Sequence, residues 1–119
     1  MHRLTTDELG AFGGRRYFLT VVVEPDPSDV DGFDPYRDAE EWCVTVRFPG
    51  TLPNESDTEV ARIDTSHGRP HFDELFRANQ PREWLPLEYD LRSAERRLVR
   101  RWRHYAEQYE RNHGVARGE

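Results

Sequence analysis

Three stretches of the chain carry the pattern of β-strands. Arg16–Glu24 is rich in β-branched and aromatic residues. Glu41–Phe48 alternates, so that its aromatic and aliphatic side chains lie on one face and more polar side chains on the other. Thr58–Thr65 is a third stretch of this kind. Three successive strands with no helix between them predict an antiparallel meander.

Apolar positions near the C-terminus recur at helical spacing instead. At 100° per residue they fall within about 40° of one line, and they are Leu91, Leu98, Trp102, Tyr105 and Tyr109. This stripe predicts an amphipathic helix from Asp90, which can cap it, to about His113. We expect its apolar face to pack on the sheet or on a second subunit.

The N-terminus predicts a second, short helix. Thr5 and Glu8 have the spacing of a capping box, and Gly13-Gly14 would end the helix. The predicted fold is therefore α+β: an antiparallel sheet of three or four strands packed against a long C-terminal amphipathic helix, with a short N-terminal helix. The 119 residues are expected to form a single domain, 1–119, with an acidic mobile loop at about residues 25–40.

The charge composition indicates a salt-rich cytoplasm. The net charge is -6, and all 17 cationic side chains are arginine. Acidic surfaces stay hydrated when salt screening is nearly complete, although a GC-rich genome also favours arginine over lysine. The polar N-terminus does not resemble a signal peptide, and no apolar run approaches the length of a membrane span. We therefore expect a cytoplasmic protein that does not enter a membrane.

The outer face of the predicted C-terminal helix is basic. Between Asp90 and His113 there are seven arginines and four acidic residues, a net charge of +3 on a chain of net charge -6. Such a helix could bind nucleic acid or dock on an acidic protein surface. Alternatively, its arginines could be solvated and paired along the helix, in pairs worth only about 0.2–0.5 kcal/mol each.

The segment RIDTSHGRPHFDE, Arg62 to Glu74, brings many polar side chains together. We call its candidate site residues the polar knot: Arg62, Asp64, His67, Arg69 and His71. Pro70 lies between the two histidines and excludes a regular helix there. The histidines are therefore expected on a loop at the end of a strand, where functional side chains often lie.

Three interpretations of the polar knot stay open. In the first, the two histidines act as general base and general acid in RNA cleavage, and Arg62 or Arg69 stabilises the phosphorane. In the second, His67 and His71 bind zinc with a carboxylate of Asp64 or Asp73. In the third, the residues form a hydrogen-bonded structural corner, in which Asp64 accepts from the amides of residues 66 and 67. Of these interpretations we predict the catalytic one, with the polar knot as the catalytic site and with no metal and no cofactor.

The sequence RIDTSHGRPH resembles TumE-type toxins of toxin–antitoxin pairs, and also small halophile proteins that share RID-x-x-HG-x-PH. The resemblance covers roughly Val60 to Phe72 and the order of strands before a C-terminal helix. It implies a ribonuclease-like role for Arg62, Asp64, His67 and His71. RNA and a cognate antitoxin-like protein are the partners it implies, and a homodimer is a further possibility. The alternative is a non-catalytic interaction module that docks through its C-terminal helix.

Overall fold

The structure is a computed structural model that describes residues 2–114, and for His67 and Gly114 the backbone alone. The strands are β1 (His2–Phe12), β2 (Arg15–Glu24), β3 (Glu41–Phe48), β4 (Thr58–Asp64), β5 (His71–Asp73) and β6 (Arg82–Trp84). The helices are the four-residue α1 (Pro35–Asp38) and α2 (Leu91–Tyr109), and a π-helical turn, Glu110–Gly114, follows α2.

The strands of the described region form one antiparallel sheet in the order β1 to β6. Each strand pairs with the next along the chain, so the α+β class and the meander are as predicted. The predicted number of three or four strands is wrong, because the sheet has six. Strands β5 and β6 have three residues each, which is too few for an alternating pattern to appear in the sequence.

The predicted N-terminal helix is also wrong, because residues 2–12 form strand β1. Gly13 and Gly14 have φ values of 60° and 77°, the left-handed conformation that a two-residue hairpin turn requires. The turn therefore directs residues 2–12 back along β2, with Phe12 opposite Arg15. Pairing with a strongly β-forming neighbour outweighs the capping-box spacing of Thr5 and Glu8.

The two faces of the sheet have different surroundings. On one face, Val44, Ile63 and Phe72 lie side by side across β3, β4 and β5, and the Phe72 ring is 5.6 Å from the ring of Tyr105 on α2. This face, together with α2, holds the core. The neighbouring row, Cys43, Asp64 and His71, points to the opposite face because side chains alternate along a strand.

Helix α2 lies on the core face as its apolar stripe predicts. Asp90 caps it, with Oδ1 accepting from the backbone N–H of Ser93 at 2.8 Å. The buried residues of α2 are Leu91, Ala94, Leu98, Tyr105 and Ala106. Among the described residues, neither helix combines the length and the apolar composition that crossing a membrane requires.

The acidic connection between β2 and β3 is attached to α2. It contains a 3-10 turn, Pro27–Asp29, and the one-turn helix α1. The Tyr36 hydroxyl donates to Glu95 at 2.8 Å, and the Arg92 guanidinium lies 4.4 Å from the centre of the Tyr36 ring. The mobility of this loop stays a prediction, as does the single domain of residues 1–119.

Substitution Leu98→Ala should lower the free energy of unfolding by about 2–5 kcal/mol, because it leaves a cavity between α2 and the sheet. Leu98 is fully buried, whereas its neighbour Val99 is 47% exposed. Val99→Ala is therefore the matched control, and we expect it to cost less than about 0.5 kcal/mol. Urea unfolding measures both, and equal effects would show that α2 does not pack as described.

Candidate functional site

The polar knot is assembled by the register of β4 and β5. Asp64 lies opposite His71, and Arg62 lies opposite Asp73. All four side chains are on the face of the sheet that is opposite to α2. Strand β6 adds Arg82 opposite Asp73. We call these five residues (Arg62, Asp64, His71, Asp73 and Arg82) the ionic cluster.

The Asp73 carboxylate is at the centre of the ionic cluster. Arg82 Nε donates to its Oδ1 at 2.7 Å, and Arg62 Nη2 donates to its Oδ2 at 2.9 Å. Burial alone would raise the pKa of Asp73, but the hydrogen bonds from Arg82 and Arg62 outweigh burial and hold this pKa below its usual range. Asp73 is therefore a buried carboxylate that stays ionised.

His71 is fully buried between two carboxylates. Its Nε2 lies 2.9 Å from Asp64 Oδ1 and 3.6 Å from Asp73 Oδ2. Its Nδ1 lies 3.3 Å from the backbone carbonyl oxygen of Arg69. The ring of Trp84 covers it edge to face, with the ring centres 5.3 Å apart. In this arrangement His71 cannot exchange a proton directly with a substrate, because no part of it reaches the surface.

Asp64 terminates β4 and orders the loop that follows. Its Oδ1 accepts from the backbone N–H of Ser66 at 3.0 Å and from the Ser66 hydroxyl at 2.7 Å. Arg62 Nε lies 3.3 Å from its Oδ2. The bond from the Ser66 amide is one of the two that the structural-corner interpretation predicts.

The remaining two residues of the polar knot lie on the loop. His67 belongs to a 3-10 turn, Ser66–Gly68, and its side chain lies outside the described part of the chain. Arg69 is exposed, and its Nη2 donates to the carbonyl oxygen of Leu85 at 2.8 Å. The structure thus unites Arg62, Asp64 and His71 directly, and it places Arg69 beside β6.

No motif in the sequence indicates that Arg82 belongs to the site. It is separated from Asp73 by an irregular stretch, and only the pairing of two three-residue strands brings the two side chains together. The one available signal is the alternation in Arg82-Glu83-Trp84, which sends Arg82 and Trp84 to the same face. Three residues are too few to establish such a pattern before the structure is seen.

The metal-binding interpretation needs a different ligand set from the predicted one. Asp64, His71 and Asp73 each offer a ligand atom, and these atoms lie within 4.8 Å of one another. Both carboxylates are present, where the sequence suggested one of them together with two histidines. All three residues are buried.

Cysteine chemistry has no support at this face. Burial raises the pKa of the Cys43 thiol to about 11, so the reactive thiolate is scarce at neutral pH. Cys43 Sγ lies 3.4 Å from the hydroxyl of Thr45 on the same strand. The thiol is a packing element of the sheet.

A depression of about 470 Å³ adjoins the loop of the polar knot. Trp42, Pro70 and Tyr89 are among its lining residues, and Glu41 and Arg69 bring opposite charges to it. Thr65 and Pro70, which also line it, directly follow Asp64 and directly precede His71. The ionic cluster therefore holds the two ends of the loop that borders this depression.

A second feature lies on the outer face of α2. Ser93 and four arginines border a depression of about 240 Å³, and the arginines are Arg96, Arg97, Arg100 and Arg101. We call these four residues the arginine cluster. Arg97 already has partners within the chain. Its Nη2 lies 3.3 Å from Glu83 Oε1, and its guanidinium lies over the Phe72 ring. Arg96 and Arg100 are exposed, and among residues 2–114 neither forms an ion pair with a carboxylate.

Substitution Asp73→Asn should destabilise the fold by about 1–3 kcal/mol at neutral pH, because two guanidinium groups lose their carboxylate. The folded pKa of Asp73 is lowered, so its contribution is present above the unfolded pKa of about 3.9 and is lost as pH falls through the folded pKa. The difference in free energy of unfolding between wild type and variant should thus be constant above about pH 5 and should shrink below about pH 4.

Urea unfolding between neutral and acidic pH, in a buffer with chelator, measures this difference. Asp31→Asn is the control, since Asp31 is exposed on the connection between β2 and β3. Its effect should be small at every pH. A difference for Asp73→Asn that is unchanged down to acidic pH would contradict the assignment of Asp73 as an ionised partner.

Comparison with protein families finds a match for this chain. A family model described as a domain of unknown function, DUF7718, matches residues 35–115, more than half of the chain. The match includes both the ionic cluster and the arginine cluster, and β1 and β2 precede it. No curated protein and no solved structure matches. The resemblance to TumE-type toxins stays a prediction. The chain belongs to the DUF7718 family.

Proposed function

We propose that the protein is a non-catalytic interaction module, and that the outer face of α2 docks on an acidic surface of a partner protein. The single observation that carries this proposal is the arginine cluster. Arg96 and Arg100 are one helical turn apart and project from the same side of α2. They concentrate positive charge on a chain whose net charge is -6.

A guanidinium group suits this role because its donors match a carboxylate in pairs. Two such groups without an acidic partner in residues 2–114 can each accept one without breaking an existing ion pair. Val99 lies between Arg96 and Arg100 in the sequence and is 47% exposed. An apolar side chain flanked by cations is typical of a protein interface, where aliphatic contact adds to charge pairing.

A nucleic-acid partner has less support than an acidic protein. Phosphate contacts dominate nucleic-acid affinity, and a contact to four phosphates would give a salt slope near -0.9 × 4, about -3.6. In a salt-rich cytoplasm, which we propose as the setting from the acidic composition, such contacts alone would be too weak.

The RNA-cleaving interpretation is the second candidate, and the geometry favours it less. It would need His67 and His71 to act as general base and general acid on a bound ribose. His71 is fully buried against two carboxylates, so this role would require the ionic cluster to open. Arg69, which lines the 470 Å³ depression, is the exposed residue that still fits a phosphate-binding role.

The docking proposal is tested with the full chain and two labelled probes: a glutamate-rich amphipathic peptide and a single-stranded RNA oligonucleotide. Fluorescence anisotropy gives Kd for each over a series of salt concentrations. The double variant Arg96→Gln/Arg100→Gln should weaken peptide binding by about tenfold or more, equivalent to about 1.4 kcal/mol. The wild-type protein should bind the peptide more tightly than the RNA at each salt concentration.

The matched control is Arg16→Gln/Arg37→Gln, which removes the same charge from exposed sites outside the arginine cluster. It should change the Kd of the peptide less than about twofold if docking is local to the arginine cluster. Equal losses in the two double variants would mean that only net charge matters. Tighter binding of RNA than of peptide would replace the protein partner with a nucleic acid.

A further inference from the structure

We propose that Asp64, His71 and Asp73 form a binding site for a borderline divalent transition-metal cation, the class to which Zn²⁺ belongs. The site would be independent of the docking face, because these residues lie on the face of the sheet opposite to α2. They come from two adjacent strands, so the backbone pairing of β4 and β5 preorganises them.

The three side chains are spaced so that they can bind one shared cation. With metal–ligand bonds of about 2.0–2.2 Å, neighbouring ligand atoms lie about 2.8–3.1 Å apart in octahedral geometry and about 3.3–3.6 Å apart in tetrahedral geometry. The His71 Nε2 is 2.9 Å from Asp64 Oδ1 and 3.6 Å from Asp73 Oδ2. All three ligand atoms lie within 4.8 Å of one another, so a single ion could reach them.

The orientation of the His71 ring also fits. A carbonyl oxygen only accepts hydrogen bonds, so the contact of Nδ1 with the Arg69 carbonyl places the proton on Nδ1. In the neutral ring this leaves the lone pair of Nε2 directed between the two carboxylates. Histidine ligands of metals commonly use such a backbone carbonyl to fix their tautomer.

The carboxylates are held by partners of their own. Ser66 donates twice to Asp64 Oδ1, and Arg62 and Arg82 each donate once to Asp73 Oδ2, so a bound ion would displace one of the two donors at each oxygen. Ligating carboxylates usually have hydrogen-bond partners of this kind. The two guanidinium groups will repel a dication, so we expect a Kd in the micromolar range and a low affinity compared with structural zinc sites.

The donor set selects the class of ion. One imidazole nitrogen with two carboxylate oxygens suits zinc and the neighbouring first-row metals. Mg²⁺ and Ca²⁺ prefer oxygen ligands only and should bind poorly. The competing occupant of the same position is a proton on Nε2, which would donate to Asp64, and the experiment distinguishes the two.

The test uses the tag-free full chain after treatment with chelator, titrated with Zn²⁺ in a calorimeter. We expect one saturable site per chain and a rise in Tm with Zn²⁺ but not with Mg²⁺. Long-range proton–nitrogen NMR spectra of the wild type should show the Nε2 resonance of His71 shifting on Zn²⁺ addition. This readout needs no variant, so it does not depend on whether a variant folds.

Asp64→Asn is the test variant and His104→Gln is the control, because His104 is exposed on α2. Loss of a direct ligand should weaken Zn²⁺ binding by at least the roughly 10–100-fold that loss of an outer partner causes. Circular dichroism confirms that each variant is folded. Three results would overturn the site: no saturable binding at millimolar Zn²⁺, binding that only His104→Gln weakens, or a His71 Nε2 resonance that stays that of a protonated nitrogen in excess Zn²⁺.

Discussion

The burial of the Asp73 carboxylate constrains one half of the sheet. An ionised carboxylate loses several kcal/mol of hydration when it is removed from water, unless cations and donors replace that water. Arg62 and Arg82 supply those donors from the strands on either side. Because the two arginines belong to β4 and β6, satisfying one carboxylate fixes three strands relative to one another.

This arrangement explains how two three-residue strands remain part of a stable sheet. Strands of that length offer few backbone hydrogen bonds, and β6 is exposed along its whole length. The side-chain bonds of the ionic cluster add to the backbone pairing where it is weakest. His71 and Asp64 extend the same network to the loop after β4. Asp64 accepts a hydrogen bond from the Ser66 amide of that loop. The cluster thus first has a structural task, and any ion that it binds would reinforce that task.

The sequence predicted the features that depend on long patterns. The alternation in Glu41–Phe48 and the stripe of α2 extend over enough residues to predict both the strand and the packed helix. The prediction of an N-terminal helix was wrong, because residues 2–12 form β1. The capping-box spacing of Thr5 and Glu8 is only a local signal, and Gly13-Gly14 is as typical of a hairpin turn as of a helix end. At the candidate site, Arg62, Asp64 and His71 are close in the sequence and are also close in the fold. The burial of His71 and the position of Arg82 beside Asp73 depend on the pairing of distant strands, which no local sequence pattern predicts.

Native-state hydrogen exchange tests most directly whether the ionic cluster holds β5 and β6 on the sheet. We expect the amides that pair β4 with β5, such as those of Asp64 and His71, to exchange in the wild type only through global unfolding. In Asp73→Asn they should exchange through a local opening of lower free energy, while amides of β2 and β3 such as Val21 and Val44 still report global unfolding. If the amides of Asp64 and His71 keep the protection of Val21 and Val44 in Asp73→Asn, the ionic cluster is not what holds this end of the sheet.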